Sequence, residues 1–185
     1  MGEKKTKKTA KTIKTLIRAV LSGDSITSSS KYAIDLYGAR QFGEYSQKRV
    51  HYSLVEALYL IEKKKIVVNK KTKKLSFNQL LEECRKIDKK IYLKYLVYKD
   101  LRDKGYLLKT ALKFGADFRV YDKGERPGKS HSKWILYVVS EKDDLTWHEF
   151  SAKNRVAHST KKNLLIAIVD DEGSITYYEI SWKKP

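Results

Sequence analysis

The chain has almost nothing with which to cross-link itself. Cys84 is the only cysteine among 185 residues. An intrachain disulfide and a cysteine-based zinc finger are both excluded, and the composition suits a reducing compartment such as the cytoplasm. No apolar run is long enough to span a bilayer, and the start does not read as a signal peptide. Residues 1–14, basic and broken by threonines, are expected to form a flexible arm or the lead into a strand. Several enzyme signatures are missing as well. There is no G-x-x-x-x-G-K-[ST] loop to cradle a nucleoside triphosphate, no G-x-S-x-G elbow and no H-E-x-x-H pair. His51, His131, His148 and His158 lack the spacing of zinc ligands. No clear pair of carboxylates stands near the apolar segment 134–139. No cofactor is called for.

What is present is positive charge. Lys and Arg total 40 against 22 Asp and Glu, a formal net charge of +18. So large an excess implies a polyanionic partner, nucleic acid first. Thirteen tyrosines and three tryptophans offer flat faces on which unpaired bases can stack. Hydrophobic residues make up 41%, enough for a real core, so the chain is not a solvated polyelectrolyte. Few Cys and Met among many charges would also suit a thermophile.

The pattern divides near residue 90. Residues 15–21 read as a strand with a turn at Ser22-Gly23-Asp24, and residues 31–37 as a short helix. Ser53-Leu54-Val55-Glu56 and Ser76-Phe77-Asn78-Gln79 have the spacing of capping boxes. The first opens a helix with Leu54, Ala57, Leu58 and Ile61 on one side; the second opens a helix to Ile87. Ile66-Val67-Val68 reads as a strand between them. The second half starts with a helix over 89–104, with Leu93, Leu96, Val97 and Leu101 as its stripe and Gly105 at its end. Strands follow at 116–121, 134–139 and 164–169, the last two apolar on both faces, as central strands are. A turn at 170–173 leads into a last strand at 174–182. The expectation is an α+β N-terminal domain over 1–89 and an α/β C-terminal domain with a mixed sheet over 90–185.

Alternation along 116–121 puts Ala116, Phe118 and Val120 on the apolar face, and Tyr121 with Asp117 and Arg119 on the other. A tyrosine there is a surface residue or a working one. The polar, Gly/Pro-punctuated loop that follows ends at His131, just before the strand at Trp134. Such a loop can return His131 to the sheet edge that holds Tyr121, where it is a candidate general acid.

Several stretches, taken together and in order, resemble the archaeal tRNA-splicing endonuclease family. They are Leu96-Val97-Tyr98-Lys99-Asp100-Leu101-Arg102, Gly105-Tyr106, Lys113-Phe114-Gly115-Ala116-Asp117-Phe118 with Tyr121, Arg155-Val156-Ala157-His158-Ser159 with Lys161-Lys162, and Ile175-Thr176-Tyr177-Tyr178. Ser53 to Leu60 is also similar to the family. The resemblance implies a restriction-endonuclease-like C-terminal fold and a Tyr–His–Lys triad at Tyr121, His131 and Lys162, with neighbouring Lys161 the alternative lysine. It further implies an extruded base held by Arg155 together with Trp182. The implied reaction removes introns from precursor tRNA at a bulge–helix–bulge fold, without a metal, leaving 2′,3′-cyclic phosphate and 5′-hydroxyl ends. By family convention Tyr121 takes the 2′-proton, His131 protonates the leaving 5′-oxygen, and Lys162 stabilises charge on phosphorus. A histidine of unperturbed pKa about 6.5 suits proton donation near neutrality, whereas a tyrosine near about 10 needs cationic neighbours to serve as a base. The resemblance also implies self-association. The last strand would pair with its copy in a dimer, and the acidic Glu141-Lys142-Asp143-Asp144, with Asp143 and Asp144 at its tip, would dock into a basic cleft of a second dimer. The result is a homotetramer, unless a different chain completes the assembly. The remaining alternatives are a metal-dependent nuclease built around Asp117, which the resemblance to a restriction-endonuclease-like fold suggests, and a non-catalytic RNA-binding module.

Overall fold

The structure is a computed structural model that describes residues 16–183; the expected arm at 1–14 lies outside the described residues. Two mixed sheets are packed with five helices. The first half contains β1 (Ile17–Ser22), β2 (Ser25–Ser28), α1 (Lys31–Arg40), β3 (Glu44–Ser46), β4 (Arg49–Tyr52), α2 (Leu54–Glu62), β5 (Ile66–Lys70), β6 (Lys73–Lys74) and α3 (Phe77–Ile87). The second contains α4 (Ile91–Asp103), β7 (Leu107–Ala111), β8 (Ala116–Tyr121), β9 (Trp134–Ser140), α5 (Trp147–Ser159), β10 (Asn163–Val169) and β11 (Ile175–Ile180). The first sheet runs β3-β4-β2-β1-β5-β6 and the second β11-β10-β9-β8-β7. Only β1 with β5 and β9 with β10 are parallel. The expected α+β first half and the mixed sheet of the second are thus present.

Local chemistry explains the helix starts. Ser53 and Ser76 form complete capping boxes with Glu56 and Gln79, satisfying backbone donors that the first turn leaves free. A third box, Thr146 with Glu149, opens α5. The same T-x-x-E spacing was there to be read, but α5 buries only Ala157 fully, so no apolar stripe advertised it. The strands β2, β3, β4, β6 and β7 also went unread; four of the five are no longer than four residues, too short to display a period.

Two expectations are corrected. The buried face of α4 is not Leu93-Leu96-Val97-Leu101. Ile91, Tyr95, Val97, Tyr98 and Leu101 are buried, while Leu93 and Leu96 are only partly covered. Six of the thirteen tyrosines are also core residues rather than exposed faces. Tyr52, Tyr59, Tyr95, Tyr98, Tyr121 and Tyr137 are buried, several in edge-to-face or tilted contact with other rings. Long amphipathic rings fill the space between α2, α4 and the sheets, where the sequence had suggested exposed stacking surfaces.

One apolar cluster runs continuously from Ile17 in β1 to Val169 in β10, so the two halves are joined through α2 and α4 by shared core. A buried polar contact reinforces the join. Lys109 Nζ on β7 donates to the carbonyl of Gly43, at 2.5 Å, and Gly43 N donates to Glu56 Oε1, at 2.9 Å. The far face of the second sheet has its own smaller core, formed by Ile135, Tyr137, Leu164 and Ile166 under Ala157 of α5.

Asp117 is held by structure. Its Oδ2 accepts the Val138 amide at 2.8 Å and its Oδ1 pairs with Lys94 at 2.9 Å. The carboxylate that a metal-dependent reading would have used ties β8 to β9 and to α4.

Candidate active site

Sheet topology gathers the expected triad at one end of the second sheet. β8 runs antiparallel to β9 and ends at Tyr121, close to where β9 begins: Val120 pairs with Trp134. β9 and β10 are parallel, so they begin at the same end, with Asn163 opposite Trp134. Backbone bonds from Lys133 N to Val120 O (2.9 Å) and from Asn163 N to Lys133 O (3.0 Å) lock the three termini together. A residue at the end of β8, one just before β9 and one just before β10 must therefore be neighbours, although they span 42 positions of the chain from Tyr121 to Lys162 (162 − 121 = 41 steps).

The connecting loop has defined shape. Glu125 N donates to Asp122 O, and Lys129 N and Ser130 N both donate to Arg126 O. Ser130 Oγ closes the second turn on Arg126 N. Gly124 and Gly128, both at φ +85°, supply the left-handed bends. His131 is delivered from this loop exposed, while the next residue, Ser132, is buried. On the other side, α5 ends in a turn in which Lys161 N donates to His158 O and Lys162 N to Ala157 O. Lys161 takes φ +56°. That bend separates the two lysines: Lys161 is exposed, and Lys162 is directed into the cavity.

Tyr121, His131 and Lys162 line a single cavity of about 460 Å³, with Arg119, Phe114, Ser130 and Ser132 among its other walls. Tyr121 is buried, with 4% of its surface exposed, so the strand's polar face here is an inward-facing site rather than open surface. Lys162 Nζ donates to Thr160 O at 2.8 Å. Burial, and then the positive charge of Arg119, hold the Lys162 ammonium below the usual lysine range. An electropositive hollow that contains a phenol, an imidazole and an ammonium can accept an anion and move protons at its edge.

The other expected residues fall elsewhere. Arg155 is exposed on α5 and lies one helical turn before His158. The His158 ring packs against Trp182 with centroids 4.4 Å apart. That contact places Trp182 against the last turn of α5, one helical turn from Arg155. Asp143 accepts from Lys90 Nζ (2.5 Å) and Ser140 N (2.9 Å), and these contacts hold its carboxyl below the usual range. Asp144 is exposed on the same loop. A second cavity, about 710 Å³, opens between the two halves and is lined by Arg40, Lys63, Lys65, Arg102 and Arg126. β11 lies at the sheet edge, with Tyr177 facing inward to donate to Asp100 and Tyr178 exposed. Among the described residues, no helix is long and apolar enough to cross a membrane.

Comparison with known proteins identifies the family. The profile of the tRNA intron endonuclease catalytic C-terminal domain matches residues 91–177, and that of the N-terminal domain of the same enzymes matches residues 17–81. A tRNA-splicing endonuclease of Thermococcus onnurineus (strain NA1) is 46% identical over 165 residues, covering 89% of this chain and 95% of the relative. One from Nanoarchaeum equitans (strain Kin4-M) is 51% identical over 138 residues, 71% of this chain and 88% of its own. One from Pyrococcus furiosus is 43% identical over 171 residues, 92% of this chain and 98% of its own. With both of its domains matched and its relatives covered almost end to end, the chain belongs to the tRNA intron endonuclease family.

Proposed function

We propose that the protein excises introns from precursor tRNA at bulge–helix–bulge sites, by 2′-hydroxyl attack on the adjacent phosphodiester. The observation that carries this reading is the convergence of Tyr121, His131 and Lys162 on one cavity, within a chain of that family. The attacking nucleophile is part of the RNA. The O2′–P bond forms, the P–O5′ bond breaks, and the ends are a 2′,3′-cyclic phosphate and a 5′-hydroxyl. Tyr121 accepts the 2′-proton, Lys162 stabilises the phosphorane charge, and His131, an exposed residue of the cavity wall, returns a proton to the 5′-oxygen. We expect cleavage of a bulge–helix–bulge RNA to persist in excess EDTA and to yield the cyclic phosphate. A 3′-hydroxyl product, or loss of cleavage on chelation, refutes the mechanism. The restriction-endonuclease-like character of the C-terminal domain is part of the same proposal.

The base clamp is assigned to Arg155 and Trp182, with Lys161 beside them as a phosphate contact. Helical spacing puts Arg155 next to His158, and His158 supports the Trp182 indole. Stacking on one extruded base is worth about 1–3 kcal/mol. Alanine at both positions should slow cleavage of bulged RNA at subsaturating protein about 10- to 100-fold, at unchanged melting temperature. The unsubstituted protein should discriminate equally against an abasic bulge; equal cleavage of abasic and normal bulges removes the clamp.

Assembly follows from two surfaces. The free edge of β11 offers backbone donors and acceptors to a second copy of itself. The exposed Asp144 loop is complementary to the cleft of Arg40, Lys63, Lys65, Arg102 and Arg126, and the pairing yields a homotetramer. Because Asp143 is engaged by Lys90 within its own chain, Asp144→Lys is the cleaner test than reversal of both. Light scattering should show the variant as a dimer with reduced cleavage. A dimer or monomer for the unsubstituted chain, active alone, overturns the tetramer, and a dimer made active by another protein favours the mixed assembly.

A further inference from the structure

The cavity contains a charge that the triad does not use. Arg119 is on β8, two residues before Tyr121 and therefore on the same face of the strand. It lines the same cavity as Tyr121, His131 and Lys162. Its Nε donates to Thr110 O on β7 at 3.3 Å, a bond to a neighbouring strand that fixes the direction of the guanidinium. Among the described residues no carboxylate ion-pairs with it, while eleven other Lys and Arg contacts of that kind exist. Two cations are close to it. Lys109 is its cross-strand partner and is itself buried, and Lys162 is close enough to feel its charge.

That arrangement is costly in an empty protein. A half-buried guanidinium has lost part of its hydration, gains no carboxylate, and sits between two like charges. An arrangement of this kind is repaid only when an anion enters. The guanidinium is planar, keeps its charge at any accessible pH, and has a fork of donors that matches two oxygens of a phosphate. With Nε held by Thr110, the two terminal nitrogens remain to make such a fork.

We propose that Arg119 is a substrate-contacting residue of this site, binding non-bridging oxygens of an RNA phosphodiester at the cleavage position. The inference rests on the nuclease reading above and adds a fourth residue to it. In the phosphorane the non-bridging oxygens gain negative charge, and a fixed fork aimed at them stabilises the transition state more than the ground state. Arg119 and Lys162 line the same cavity, so one bound anion can meet both cations.

The test is single-turnover cleavage of a bulge–helix–bulge RNA at saturating protein, with the product ends identified and melting temperatures recorded. Arg119→Gln should cleave about 100-fold more slowly, with RNA affinity within a few-fold of the unsubstituted protein and melting unchanged. Its alkaline limb should move to higher pH, because Lys162 loses a repelling neighbour. A structural role alone would move the melting temperature and leave the cleavage rate of the folded variant intact. Arg119→Lys, which keeps the charge but not the fork, should remain at least about tenfold slow. Arg119→Gln as fast as the unsubstituted protein overturns the proposal. If Arg119→Gln melts early, a folded Arg119→Lys with full rate and an unmoved limb overturns it instead. Neutral methylphosphonate linkages on either side of the cut identify the phosphate. The Arg119→Gln penalty persists on both when the scissile phosphate is the contact, and disappears on the one whose linkage Arg119 binds when a flanking phosphate is. The unsubstituted protein's own product distinguishes the two levels: if it leaves a 3′-hydroxyl the nuclease reading fails, whereas a cyclic phosphate with an unaffected Arg119→Gln defeats only the assignment of Arg119.

Discussion

His131→Ala should reduce single-turnover cleavage by about 10²–10⁴-fold, the range that a positioned proton donor contributes. His131 is exposed at the end of a loop whose two turns are closed by Asp122, Arg126 and Ser130, not by the histidine. Its removal should leave RNA affinity and melting temperature nearly unchanged. Lys162→Ala should cost about 10²–10³-fold, as loss of a single preorganised charge does elsewhere. The pH profile separates the two residues. Lys162 acts while protonated, so activity is retained below its pKa and lost as pH rises through it. Burial and Arg119 lower that pKa, so the alkaline limb should lie below the range of an ordinary lysine. Removing Lys162 should erase the limb, while removing His131 should leave it. The measurement is the rate at saturating protein across pH for each variant and for the unsubstituted chain. Full activity of His131→Ala would remove the histidine from the mechanism.

Gly43→Ala should lower stability by about 3 kcal/mol, or about 6–12 °C in melting temperature for a chain of this size. Two effects add. Gly43 has φ +74°, which an L-residue adopts only at a cost. A methyl group there would also lie 2.5 Å from Val50 Cγ1 and 2.7 Å from the His51 carbonyl oxygen. The second atom is backbone of β4 and cannot rotate away. The consequence extends to the other half of the molecule, because the Gly43 peptide is held from both sides, its carbonyl by Lys109 of β7 and its amide by Glu56 of α2. Burial lowers the pKa of Lys109, so this ammonium depends on that carbonyl for its solvation. Lys109 is also the cross-strand neighbour of Arg119. Gly38→Ala is the control. It lies inside α1 with nothing within 4 Å of the added carbon, and should be neutral or stabilising by about 0.5–1 kcal/mol. Thermal melts of both variants decide the matter; a Gly43→Ala variant as stable as the parent would show that the β3–β4 region yields to the methyl group.

Where the sequence was legible, the signal was local. The capping serines at 53 and 76 set the starts of α2 and α3 because a capping box involves only residues three apart. β9 and β10 were recognisable because strands covered on both faces have no polar alternation to hide them. The α4 stripe was misjudged for a different reason. Tyrosine is amphipathic, and nothing local reveals whether its ring will meet a core or a base. α5 escaped because a helix that buries one alanine leaves its remaining faces polar.

The sequence by itself pointed to a polyanionic partner, placed the starts of α2 and α3 and, through ordered motifs, identified the family. Charge, capping and motif order are properties of neighbours along a chain, so they survive without coordinates. The tertiary structure alone decided which lysine of the pair enters the cavity, because the φ of Lys161 is imposed by the turn that closes α5 against β10. It decided that Asp117 is held by Val138 and Lys94, that Asp143 is engaged by Lys90, and that Arg119 lines the site with no ion-paired carboxylate among the described residues. Each of those facts depends on a partner brought close by sheet order or helix packing rather than by sequence distance, and such partners exist only once the strands have paired.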